Sequence, residues 1–208
     1  MFSKNTKATL LCGPKELSKS FMFEIAMYWA ERGRRVVYIT PAPLERRPAV
    51  CHDRSNPGVA ALKLIRFIYL SNYEAFGEQL IKLHTYATVP SVLLINDLDD
   101  YFNEESAEND LSTNIAKTCA LIFHSMNLCS RVTKINVHVC AWTTSILTNN
   151  FLQTIYFRNI WNVTEEEGGK VILLEKLFTT SSLESYKYDK FEDGMRVLQQ
   201  ILYDSEEV

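Results

Sequence analysis

Two stretches of the chain, Val36-Val37-Tyr38-Ile39 and Val92-Leu93-Leu94-Ile95, are apolar at every position. A strand with one wet face alternates apolar and polar residues, so these runs read as strands covered on both sides. Residues 7 to 12 form a third such run, ending at Gly13, and residues 62 to 70 a fourth strand. Phe21, Ile25, Tyr28 and Trp29 recur at helical spacing within residues 18 to 32, as do Tyr73, Phe76, Leu80 and Leu83 within 72 to 86. Strand, helix, strand, strand, helix, strand predicts an α/β fold with a mostly parallel sheet between two helical layers. Pro41, Pro43, Pro48 and Pro57 make residues 41 to 61 a long loop.

A long helix is predicted from about 107 to 128, followed by a strand at 135 to 142. The tail then changes character. Residues 154 to 163, 169 to 178 and 184 to 191 are short strands separated by Glu165 to Gly169 and by Thr179 to Ser182, turn chemistry that suits antiparallel hairpins. Residues 194 to 203 fit a further strand or a closing helix.

The chain is 208 residues long, which predicts one domain over 1–208. Its 22 Lys and Arg against 25 Asp and Glu exclude a global basic field, so nucleic-acid contact must be local. The charge is segregated: Glu31 to Phe67 holds eight basic residues against three acidic ones, and Ser91 to Asp110 holds seven acids and no base. The five cysteines and four histidines show no zinc spacing, and no apolar run reaches signal or span length. The expectation is a soluble, thiol-containing protein without a metal centre of its own.

Gly13-Pro14-Lys15-Glu16-Leu17-Ser18-Lys19-Ser20 matches the phosphate-binding pattern G-x-x-x-x-G-K-[ST] at every fixed position but one. In that pattern a turn wraps backbone N–H groups around phosphates, Lys19 reaches the terminal phosphates, and Ser20 ligates Mg²⁺. Ser18 stands where the second glycine belongs. A side chain there obstructs the turn and, at positive φ, costs about 1 kcal/mol. The bland alternative is a strand-to-helix turn with Ser18 as N-cap. Asp97, at the end of the 92 to 96 strand, is placed to reach the metal or its water. Gly13, Ser18, Lys19, Ser20 and Asp97 are therefore the candidate ATP and Mg²⁺ residues, with Ser20 and Asp97 on the metal.

Together with Val36 to Leu44, Leu64-Ile65-Arg66-Phe67, Pro90 to Tyr101 and the C-terminal strand pair, these segments resemble the SWIM-domain-protein-associated ATPase of the Shu complex, a RecA-like recombinase paralogue. The resemblance implies a P-loop NTPase with a RecA-like core, in the nucleus, serving homologous-recombination DNA repair. It implies a heterodimer with a SWIM-type zinc-finger protein, binding to single-stranded DNA, and support of the strand-exchange recombinase in filament assembly.

The departures from that pattern bear on activity. The catalytic glutamate of such ATPases follows the second strand, where this chain has Thr40-Pro41-Ala42 and no carboxylate before Glu45. Hydrolysis is expected to be weak or absent, with Thr143 or Thr144 available to sense a γ-phosphate. Arg131 and Lys134 are the candidate DNA-binding residues, Arg46, Arg47 and Arg54 a second set, and Trp142 or Tyr101 candidate base stackers. Phe23 to Ala26 has the F-x-x-A form of a recombinase polymerisation element but falls inside a helix, where it reads as core packing. The alternatives are a P-loop small-molecule kinase or free ATPase, and a nucleotide-free scaffold.

Overall fold

The computed structural model describes residues 5–45, 48, 58–102, 108–144, 155–177 and 183–204. Among these residues nine strands form one sheet: β1 (Thr6–Cys12), β2 (Val36–Thr40), β3 (Ile65–Tyr69), β4 (Val92–Ile95), β5 (Val137–Thr143), β6 (Asn159–Glu166), β7 (Val171–Leu177), β8 (Leu183–Lys190) and β9 (Arg196–Asp204). Their order is β3-β2-β4-β5-β1-β6-β7-β8-β9, parallel from β3 to β6 and antiparallel from β6 to β9. The helices are α1 (Lys15–Glu31), α2 (Val59–Leu62), α3 (Tyr73–Lys82) and α4 (Glu108–Thr133).

The fully apolar runs lie where their pattern requires. Val36 to Ile39 and Val92 to Ile95 are buried in the parallel half, with α1 on one face and α3 and α4 on the other. Met22, Ala26 and Met27 of α1 pack in the cluster that holds Tyr38, Leu94, Cys140 and Trp142. Phe76 of α3 and Ile115, Ile122 and Met126 of α4 join Leu93, Ile95 and Val139 on the opposite face. Phe23 and Ala26 are buried in the α1 layer, as core packing requires.

Two differences from the sequence reading, and one choice it left open, have physical causes. Helix α1 begins at Lys15 rather than 18, because Pro14 presets a suitable φ of −55° and no glycine follows to hold a loop open. Helix α4 continues to Thr133, where Lys134 adopts φ 61° and its N–H bonds Ser130 O at 2.8 Å, a left-handed cap usually filled by glycine. The last segment is a strand, since pairing along the whole of β8 outweighs the helical spacing of its apolar residues. Its turn is closed by Gly194 at φ 82° and by Met195 N–H donating to Asp193 Oδ1 at 2.8 Å.

Candidate functional site

The two motif segments meet at the C-terminal ends of β1, β4 and β5. Gly13 N–H donates to Thr143 O at 3.0 Å, and Trp142 Nε1 donates to Gly13 O at 3.2 Å. A Cβ on Gly13 would lie 2.6 Å from Val163 O and 2.8 Å from Val163 Cβ. The glycine thus permits close approach of β6, a packing role that explains its presence without any ligand.

Residues 15 to 20 are the first turns of α1, which corrects the expectation of an open phosphate turn. Ser18 is neither at positive φ nor an N-cap; it is buried within the helix, and its hydroxyl donates to Lys15 O at 2.8 Å. Only Gly13 and Pro14 separate strand from helix, and proline has no N–H to offer a phosphate. Replacing Ser18 with glycine would therefore weaken α1 rather than open a cradle.

Ser20 is occupied by an arginine. Arg196, the first residue of β9, is 1% exposed; its Nη1 donates to the Ser20 hydroxyl and its Nη2 meets Glu24 Oε2 at 2.6 Å. The guanidinium lies 3.9 Å from the Phe21 ring centroid, and its Nε has no partner among the described residues. A fixed positive charge thus touches the hydroxyl that the motif reserves for Mg²⁺.

Asp97 is 2% exposed in the left-handed region at φ 50°, a conformation aspartate tolerates better than most residues. Asn96 Nδ2 donates to its Oδ2 at 2.8 Å, while its Oδ1 is without a partner among the described residues. Burial raises its pKa, and the nearby Ser18 hydroxyl and Lys15 offset part of that rise. The following aspartates are engaged. Asp100 accepts from Lys15 Nζ at 2.8 Å, and this contact raises the lysine pKa. Asp99 accepts from Thr143 Oγ1 at 2.5 Å and from Thr144 Oγ1 at 2.8 Å. Those two threonines, expected to face a γ-phosphate, instead tie β5 to the turn after β4.

Beside this cluster, Lys19, Ser20, Glu45, Lys190, Asp193 and Arg196 line part of a cleft of about 500 Å³. Glu45, on the loop a few residues past the end of β2, thus lies on the same cleft as Lys19. The orphaned Asp97 Oδ1 suits a cation or water, but the helical 15 to 20 segment and the Arg196 contact on Ser20 do not fit a magnesium nucleotide held in the manner of the motif. Arg196 was invisible to sequence reasoning, since nothing local to β9 announces partners in α1.

The DNA candidates divide. Arg131 and Lys134 are exposed, but they precede β5 and so stand at the N-terminal end of the sheet, not beside the loops that follow its strands. A helix-to-strand connection can deliver its residues only to that end. Trp142 and Tyr101 are fully buried and stack on no base; Tyr101 packs against Phe76 at 4.2 Å and its hydroxyl donates to Leu70 O at 3.0 Å. Arg46, Arg47 and Arg54 lie outside the described residues. Cys12, Cys119, Cys129 and Cys140 are buried thiols that form no disulfide, and the described residues hold no grouping of three or more metal-ligating side chains. No described helix is long and apolar enough to cross a membrane.

No protein-family model and no curated protein matches the sequence. Solved structures do match. A KaiC-like protein from the hyperthermophilic archaeon Pyrococcus horikoshii superposes with a TM-score of 0.59 at 13% identity, over 93% of this chain and 89% of its own. A DnaB-like replicative helicase, described with its interactions with primase, gives 0.63 at 8% identity over 96% of this chain and 60% of its own. The fold is that of the RecA-like ATPases. At these identities the likeness is one of architecture, and it covers the antiparallel strands as well as the parallel core.

Proposed function

We propose that this RecA-like chain is an accessory protein of homologous recombination that works by binding rather than by nucleotide turnover. The observation that carries the second half of this reading is the contact of Arg196 with Ser20 on a helix that begins at Lys15. It leaves neither a phosphate cradle nor an unengaged metal-ligating hydroxyl, which favours a binding role over the kinase or ATPase alternatives. ATP and Mg²⁺ are on this reading weak ligands at Lys19, Ser20 and Asp97, whose binding requires the first turns of α1 to open and Arg196 to withdraw. The recombination role rests on the sequence resemblance: a nuclear partner of a SWIM-type zinc-finger protein that assists a strand-exchange recombinase on single-stranded DNA.

The test is to purify the chain with a SWIM-type partner and measure ATP hydrolysis with and without single-stranded DNA. The expected result is a stable heterodimer with turnover far below the ~1 s⁻¹ at the low end of enzyme rates. Recombination in cells should survive Lys19→Ala. Failure of the two proteins to associate, or turnover at enzyme rates abolished by Lys19→Ala together with recombination, overturns the reading.

A further inference from the structure

The starts of five parallel strands lie in one row. Val36 is in register with Ile65 and Val92, Val92 with His138, and His138 with Lys7. Around this row stand Lys7, Arg34, Arg35, Lys63, Arg131 and Lys134, all exposed except the half-buried Arg34. None of the six forms an ion pair among the described residues. Glu31, the last residue of α1, is an acidic neighbour. The C-termini of α1, α3 and α4 also point this way, and Arg131 complements one of them. Lys7, Arg34 and Arg35 lie outside those helices and their caps, so helix ends do not account for them. Lys134 even holds its charge at a left-handed position where glycine is the usual residue.

We propose that this N-terminal edge of the sheet is a binding surface for single-stranded DNA, an inference that rests on the recombination reading above. Four inter-strand gaps of about 4.8 Å make the row roughly 19 Å long, a length that suits a linear polyanion rather than a single phosphate. Half-buried Trp29 and His138 lie in ring contact at 4.1 Å beside it, so cations and aromatic rings occur together, the combination that favours single strands over duplex. Lys7 and Arg34 are near enough to His138 to add to the effect of its burial. The opposite end of the sheet carries Asp97, Asp99 and Asp100 and would repel the same ligand.

Binding of a fluorescent thymidine oligomer to the heterodimer tests the surface directly. If the row neutralises four phosphates, the log-log salt slope is about −2.8, and Lys7→Ala/Arg35→Ala/Lys134→Ala reduces its magnitude by about 2 with at least tenfold weaker binding. Lys117→Ala/Lys170→Ala/Lys187→Ala, which removes three charges elsewhere, should leave slope and affinity unchanged. In the isolated chain, the oligomer should also raise the His138 pKa from about 4 toward its ordinary 6.5, read from its ring proton shifts. Equal loss in both triple variants, an unmoved His138, or duplex DNA or anionic vesicles competing as well as the oligomer would each overturn the inference. A heterodimer that forms and binds the oligomer indifferently to the row refutes this surface alone, whereas a chain that takes no SWIM partner refutes the reading beneath it.

Discussion

The two ends of the parallel sheet use their charges differently. At the C-terminal end Lys15 meets Asp100, Asp99 holds Thr143 and Thr144, and Arg196 joins Ser20 and Glu24. At the N-terminal end Lys7, Arg35, Lys63, Arg131 and Lys134 are exposed and make no ion pair among the described residues. At each end burial pushes a titratable group toward its neutral form: Asp97 upward, and the half-buried His138 down to about 4. At the end that resembles a catalytic site the charged groups pair with one another, although Asp97 Oδ1 and Arg196 Nε have no partner among the described residues, while the end with no motif leaves its charges to solvent. Paired charges hold the fold together, whereas exposed unpaired cations are solvated and open to an anionic ligand.

The largest effect that would break this contrast is at Arg196. Arg196→Ala removes a buried guanidinium from Glu24 and from the Phe21 ring, and should lower unfolding stability by about 3 kcal/mol in urea titrations. A loss no larger than that of Arg35→Ala, expected within about 0.5 kcal/mol, would show the contact to be incidental. Gly13→Ala should cost about 2 kcal/mol through overpacking against Val163, by the same amount with and without ATP. A nucleotide-dependent cost would restore a ligand role to that glycine.

His138 sharpens the comparison from the other end. Its folded pKa of about 4 lies below the ordinary 6.5, so the unfolded chain binds the extra proton. The stability linked to it is complete above pH 6.5 and is lost as pH falls toward 4. Between those values His138→Gln should lose less stability than the parent, by on the order of 2 kcal/mol, measured as unfolding midpoints across the range. The smallest effect has the opposite sign. Lys134→Gly relieves a left-handed residue and should stabilise the fold by up to ~1 kcal/mol while removing a charge from the basic edge.

The parallel half of the fold was legible because runs such as Val92 to Ile95 leave no polar face, and Asp97 was legible as the polar residue that ends one. The start of α1 was not legible from the phosphate-binding pattern, because residues 15 to 18 have helical preferences of their own and, without a second glycine, Pro14 sets the boundary. Arg196 was not legible at all. Its partners Ser20 and Glu24 lie 176 and 172 positions away, and pairing of that range is decided by sheet register. The end of the sheet that receives Arg131 and Lys134 could have been deduced, since a helix leading into a strand always arrives at its beginning.

The position of β1 between β5 and β6 sets a timetable for synthesis. Residues 6 to 12 leave the ribosome well before their partners at 137 to 143 and 159 to 162, which follow more than a hundred residues later. At ordinary elongation rates that interval is roughly 6 to 25 s, during which the strand at the centre of the finished sheet has both edges unpaired. Chaperone dependence in the cell should accordingly track how long the first strand waits, and a slowed translation of the α4 region should lower the yield of folded protein without changing its final stability.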